Sequence, residues 1–340
     1  MRLLAAFLFV LVLFPQAGGA QDDGDDGGFL TRTIEGALSG AGREVKITGF
    51  QGALSSEASF ERMTIADDTG VWLSLEQVTL IWSRAALLRG RLEVTQLIAE
   101  RLDVPRLPEV QDTGVDVPSA EAKPFALPEL PVSILLDALE VREIVLGEPV
   151  IGVPAVLSLT ASARLDGDGL DARFDASRVD GRQGDFEIAA AFARDTEALS
   201  VNVVLDEEPG GLIARIINLP GQPSVALSVD GEGPLSQFVA DINLATDGTE
   251  RVVGRISSTG AAPGEEGDTV IVADISGDIA PLVAPEYTDF FGNEIGLRAD
   301  TTLRADGQIS LDNLDIRARV LEISGSALLD ADNWPVRIDL

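Results

Sequence analysis

From residue 132 onward the chain keeps a strict two-residue alternation of apolar and polar side chains, and this constrains its fold more than any other feature. Leu170, Ala172, Phe174 and Ala176 alternate with Asp171, Arg173, Asp175 and Ser177. The pattern returns at Phe186, Ile188, Ala190 and Phe192, at Val201, Val203 and Leu205, and at Val225, Leu227 and Val229. It continues at Phe238, Ala240, Ile242 and Leu244, at Leu297, Ala299, Thr301 and Leu303, and at Leu314, Ile316, Ala318 and Val320. A helix would scatter such residues around its axis, whereas a strand sends alternate side chains to opposite faces. Asp166-Gly167-Asp168-Gly169, Asp180-Gly181, Asp230-Gly231, Asp247-Gly248 and Asp306-Gly307 punctuate the runs. Asp-Gly supplies the positive φ angles of tight hairpin turns. The expectation is an all-β chain, a long antiparallel meander with one apolar and one polar face.

The earlier part is less regular. Phe29, Leu30, Ile34, Ala37 and Leu38 share a helical face, so Phe29–Ser39 is expected to be a short amphipathic helix capping the strands after it. Val45 and Ile47, then Ala58, Phe60, Met63 and Ile65, read as strands, with Asp67-Asp68-Thr69-Gly70 turning the chain. Val71, Leu73 and Leu75 fall on one face and Val78, Leu80 and Trp82 on the other, a phase switch near Glu76-Gln77 that predicts a β-bulge. Trp72 is placed opposite Leu73 and Leu75. Arg84–Arg89 reads as a helical turn and Arg91–Leu107 as strand. The segment 108–131 holds Pro108, Pro118, Pro124, Pro128 and Pro131, which cannot donate to a ladder, so it is read as a connection crossing the structure. Gly211–Asn218 and Asp278–Phe291 are two helical interruptions about 70 residues apart, which suggests repeated β units over 132–340. The chain is expected to continue as strand beyond Leu340.

At the N-terminus, Arg2 precedes an apolar run from Leu3 to Phe14, and Ala17-Gly18-Gly19-Ala20 supplies the small residues of a cleavage site between Ala20 and Gln21. Residues 1–20 therefore read as a secretory signal, with a short membrane anchor as the alternative. Residues 21–28 (QDDGDDGG) read as an acidic spacer, and 29–107 as a helix-capped β unit. Neither cysteine nor histidine occurs, which removes disulfides, thiolate chemistry, Ser-His-Asp triads and the commonest zinc ligand. With 56 acidic against 25 basic residues the net charge is −31, which disfavours nucleic-acid partners.

No phosphate loop, metal-ligand spacing or nucleophile elbow is present, so no enzyme activity and no cofactor is expected. The acidic pairs Asp67-Asp68 and Glu207-Glu208 sit at turns, where exposed charge is ordinary. The apolar face is the functional clue. No long amphipathic helix exists to cover it, so it must curl on itself, pair with another sheet or hold something greasy. Val201, Val203, Leu205, Val225, Leu227, Val229, Ile242 and Leu244 are the residues expected to line such a surface and to shield phospholipid acyl chains without chemistry. The open alternative is a secreted, adhesin-like structural protein with a dry core.

Over 29–107 the sequence resembles a known family. The order FLTRTIEGALSG, REVKITGFQGALSSEASFERMTIADDTGVWLSLEQVTLIWS and RAALLRGRLEVTQLIAERLDV is similar to the opening of the periplasmic region of TamB-type subunits of translocation and assembly modules, in the AsmA-like group. GEGPLSQFVADINLATDG (231–248) is similar to that family's repeats. The resemblance implies a taco-shaped β-groove in the periplasm of a Gram-negative bacterium, associated with the inner membrane. It further implies an outer-membrane barrel of the Omp85 type (TamA-like) as partner, and roles in moving phospholipid or inserting outer-membrane proteins.

Overall fold

A computed structural model describes residues 44–52, 55–87, 89–108, 133–262, 267–331 and 334–339. The segments read as signal or anchor (1–20), acidic spacer (21–28) and capping helix (29–39), with most of the Pro-rich connection, lie outside the described residues. The protein is nearly all β: among the described residues seventeen strands form one open, mostly antiparallel sheet that does not close into a barrel. Two compact units are distinguished.

The first unit is built from β1 (Glu44–Thr48), β2 (Glu57–Asp67), β3 (Gly70–Trp82), β4 (Arg91–Val104), β5 (Ser133–Leu146) and β6 (Ala155–Leu165). Two helical turns, α1 (Arg84–Leu87) and α2 (Glu148–Ile151), join strands. The β2–β3 turn forms where expected, with Thr69 N–H donating to Asp67 Oδ1 (2.9 Å). The Arg106 guanidinium also donates to Asp67 (2.8 and 2.5 Å), fastening the exit of β4 to this turn. One pair departs from a pure meander: β4 and β5 are parallel, from Arg91 opposite Ser133 to Val104 opposite Leu146. A chain leaving one end of β4 must return to the other end before it can pair in parallel, and the Pro-rich connection lies between those two points.

The phase switch anticipated in β3 is present, in a different form. Phe60, Val78, Ala99 and Val141 are cross-strand partners, and so are Met63, Leu75, Leu102 and Ile144. Each strand from β2 to β5 therefore changes the parity of its apolar positions at one level, where Glu61, Gln77, Glu100 and Arg142 lie exposed. Gln77 carries the change in β3 with φ of 50°. No residue is inserted against an uninterrupted partner between β2 and β4 at this level; the irregularities are matched across strands. At β5 the surplus appears, because Val141 and Ile144 face Leu159 and Leu157 of β6. Arg142 Nη1–H donates to Glu100 Oε1 (2.5 Å) along this line.

The two-against-one bulge in β3 lies elsewhere. Ile65 and Ala66 face Leu73 and Val71, which leaves Trp72 as the extra residue. Trp72 is accordingly buried in one cluster with Leu73, Leu75, Val78, Leu92 and Val141, not on the opposite face. The bulge turns two successive side chains to one side, a reversal that simple alternation cannot express. The core is tight: Val78 is 3 % and Val141 1 % exposed.

The second unit contains β7 (Gly169–Arg178), whose last residue falls with the first unit, then β8 (Gly184–Ala193), β9 (Ala198–Glu207), β10 (Val225–Pro234), β11 (Val239–Thr246) and β12 (Thr249–Thr259). It ends with β13 (Thr269–Gly277), β14 (Ile295–Leu303), β15 (Ile309–Ala318), β16 (Leu321–Leu329) and β17 (Pro335–Asp339). Each strand pairs antiparallel with its neighbour in sequence. Two helices interrupt at the anticipated places: α3 (Leu212–Ile216), and α4 (Pro285–Phe291) preceded by a 3-10 turn at Ala280–Leu282. Asp247-Gly248 is a two-residue turn with both φ angles positive (49° and 69°). Asp230-Gly231, anticipated as a turn, is instead inside β10, opposite Asp241 and Ala240. A Cβ on Gly231 would meet the Phe238 ring at 2.6 Å, so glycine here serves close packing rather than chain reversal.

Candidate functional site: the apolar face of the second unit

Antiparallel register converts the alternation of single strands into rows that run across them. Phe174, Ile188, Val203, Val229 and Ile242 are successive cross-strand partners, and the row continues through Gly254, Ile275, Leu297, Ile316 and Ile323. Ten strands at a spacing of roughly 4.8 Å make this row about 43 Å long. A parallel row of smaller residues lies beside it: Ala172, Ala190, Val201, Gly231, Ala240, Ile256, Ala273, Ala299, Leu314 and Gly325.

The large row is only half-buried. Val203, Val229, Ile242, Ile275, Leu297 and Ile316 are all of intermediate exposure, and Ile188 is 45 % exposed. A filled core would bury such residues to the level of Val141.

A third row (Ala176, Phe186, Leu205, Leu227, Leu244 and Val252) is treated differently, because a helix seats against it. Leu205, Val225, Ala214 and Leu219 form a buried cluster, with Phe186, Leu227, Leu244, Ile213 and Leu282 against it. Glu207 explains how α3 is held. Its carboxylate is buried at the end of β9 and accepts from Ile213 N–H (3.0 Å) and Ala214 N–H (2.9 Å), two donors that a helix start leaves without partners. A Cβ on Gly211 would collide with that carboxylate. Glu207, expected as ordinary exposed charge, is therefore an interior anchor. The helix has a distant carboxylate in place of a local Ser or Asp cap, and that contact left no mark in the local sequence.

The eight residues expected to line the face consequently divide. Val203, Val229 and Ile242 lie on the half-exposed row and Val201 on the small-residue row. Leu227 and Leu244 lie on the third row, while Leu205 and Val225 are buried beneath α3. Phe174, Ile188, Ile275, Leu297 and Ile316 complete the exposed row. Their alternation was visible in the sequence, but membership of one row depends on registers that only the paired strands define.

The opposite face is polar, and its arginines Arg255 and Arg298 sit opposite aspartates. Asn202, Asp230, Asp241, Arg255, Asp274, Arg298 and Asp315 form one cross-strand row. Arg255 donates to both oxygens of Asp241 (2.7 and 3.0 Å), which holds the Asp241 carboxyl below its ordinary value of 3.8. Arg298 lies 3.5 Å from Asp274. These groups are solvent-exposed, where ion pairs direct register more than they add stability. A shallow depression on this face, lined by Asp241, Val253, Arg255, Val272, Asp274 and Arg298, has its arginines engaged by neighbouring carboxylates.

Comparison with family models, with curated proteins and with solved structures finds no match to this chain.

Proposed function

We propose that this chain is an exported β protein that offers a continuous apolar face to lipid acyl chains. On this reading it shields phospholipid between the inner and outer membranes of a Gram-negative bacterium, and the same face can assist insertion of outer-membrane proteins. The half-exposed row from Phe174 to Ile323 carries the reading. Each methylene kept out of water is worth about 0.8 kcal/mol, so an acyl chain moving along such a row avoids most of the cost of crossing water. The face needs no reacting group for this task, and the proposal assigns none. The likeness of 29–107 and 231–248 to TamB-type subunits supports the periplasmic placement, and a barrel of the Omp85 type is proposed as the outer-membrane partner.

Photo-crosslinking in an exporting host tests the proposal, with probes at Val203 and Ile242 on the apolar row and at Asn202 and Asp241 on the polar face. Phospholipid adducts at the first pair and not the second are expected. Adducts at neither pair would favour a structural protein with a dry core, and adducts of unfolded barrel strands at Val203 would move the role from lipid to protein assembly.

A further inference from the structure

The two ends of the second unit differ in chemistry. Antiparallel pairing of every neighbour makes β9, β11, β13 and β15 run in one direction, so the connections that leave their C-terminal ends emerge at one end of the sheet. At that end α3 exposes Ile216 (62 %) with Ile217 beside it, α4 exposes Tyr287 and Phe290, and the β15–β16 turn exposes Val320 (62 %). These tips belong together. Val320 N–H and Arg319 N–H donate to the carbonyls of Phe290 (3.3 Å) and Phe291 (3.0 Å), which holds α4 against the turn. Leu282, just before α4, packs on the cluster beneath α3. The β8–β9 and β14–β15 connections at the other end expose Arg194, Asp195, Arg304 and Asp306, and among the described residues of the connections there the exposed large apolar side chain is the single Trp334, just before β17.

We propose that the α3–α4 end is a bilayer-docking surface, whose apolar tips enter the headgroup region of a phospholipid membrane. Separate projecting tips suit a fluid lipid interface, which closes around each one, whereas a folded partner needs a continuous complementary patch. Tyr287 combines an apolar ring with a polar end, the composition favoured at that depth. Charge points the same way at α3, while α4 exposes Glu286 and Asp289 beside its aromatic tips. The chain carries 56 acidic residues in 340, yet Gly210 to Val229 contains none, and its single charged side chain is Arg215. The strongest repulsion from lipid phosphates is thereby removed from the stretch that carries Ile216 and Ile217. The proposal extends the lipid reading, on which it rests for its purpose: docking would bring the apolar face to the bilayer at the end where the helices sit.

Because the chain has no cysteine, single labels can be placed without other changes. Ile217→Cys and Val204→Cys, each in the full chain and carrying an environment-sensitive fluorophore, are mixed with phosphatidylcholine vesicles. Val204 is 41 % exposed on the polar face and serves as the reference. A blue shift at 217, with quenching by lipids labelled in the acyl region, and no change at 204 is the expected result. Adding Tyr287→Ser, Phe290→Ser and Val320→Ser should weaken the partitioning seen at 217 by at least about tenfold, with the far-ultraviolet circular dichroism unchanged. No shift at 217, equal shifts at both positions, or an undiminished response in the serine variant would overturn the proposal. Vesicle binding through the N-terminal apolar segment alone would leave 217 silent and would also overturn it. A shift at 217 without lipid adducts at Val203 would retain docking and reject transport along the face. Adducts without a shift would do the reverse.

Discussion

The two units use the same alternation of apolar and polar residues and reach opposite results. In the first, Leu75, Val78, Ala99 and Val141 are closed into a core and the strands change parity together to keep it closed. In the second, the strands keep one parity over β7 to β11, the shifts farther along fall on single strand pairs, such as that between Leu311 and Leu314 in β15, and the matching row stays half-exposed. An amphipathic strand pattern therefore identifies a face but not its fate. Whether the face becomes a core or a surface is decided by what the local backbone does and by what is laid on it.

The largest test of this contrast is one substitution made twice. Leu75→Ala should cost roughly 2–5 kcal/mol, because it leaves a cavity in a closed core, while Leu297→Ala should cost about 1 kcal/mol, because that side chain keeps contact with solvent. With Trp334 of the second unit replaced by Phe, urea unfolding followed by tryptophan emission reports the first unit, which holds Trp72 and Trp82, and circular dichroism reports both. Equal losses would mean that the apolar row of the second unit is a core after all.

Glu207 marks the place where the second unit does behave like the first. Glu207→Gln should lose about 1–3 kcal/mol, since one of two backbone donors then faces an amide N–H₂. Gly211→Ala should also destabilise, and the double variant Glu207→Ala/Gly211→Ala should fall short of the sum of its single changes, because the collision disappears with the carboxylate. Strict additivity in that cycle would remove Glu207 from its anchoring role.

Gln77 sharpens the comparison from the other side. Its φ of 50° costs about 1 kcal/mol for a residue with a Cβ. Gln77→Gly should therefore be neutral or stabilising by up to about 1 kcal/mol, whereas Gln77→Val should destabilise. A stability ranking with valine ahead of glycine would show that the parity change is not carried there.

The smallest effect concerns acid. The hydroxyls of Ser310 (2.5 Å) and Thr302 (2.5 Å) donate to Asp312 and hold its carboxyl below the ordinary 3.8. A carboxyl depressed in the folded state contributes stability above its unfolded value, and loses it as pH falls through the folded one. Asp312→Asn should thus flatten the decline in stability below pH 3.8 and leave its neighbourhood unchanged at neutral pH. An unaltered acid limb measured by thermal melting would exclude the contribution.

Strands and most turns were legible because they depend on nearest neighbours along the chain. Asp247-Gly248 has the backbone that its residues prefer, and α3 and α4 fall where the alternation breaks. What escaped was whatever depends on a partner strand. Trp72 sits with Leu73 because one residue of β3 has no counterpart in β2, and Asp230-Gly231 is strand because Phe238 needs room above it. The parallel pairing of β4 with β5 was likewise invisible, since a proline-rich connection announces a crossing but not its direction. Of the face itself, the alternation singled out Val203, Val229 and Ile242 together with Leu205 and Val225, and only strand register and the seating of α3 through Glu207 separate the two sets.

Strict pairing of each strand with its successor gives the second unit a property that closed folds lack. A hairpin can be removed from or inserted into such a meander without changing the partners of the strands farther away, and each one shortens or lengthens the apolar row by two strand spacings, close to about 10 Å. The row is in effect a ruler marked in hairpins. Selection can set the reach of the protein by duplication or loss of whole markings, while the chemistry at every remaining position stays as it was.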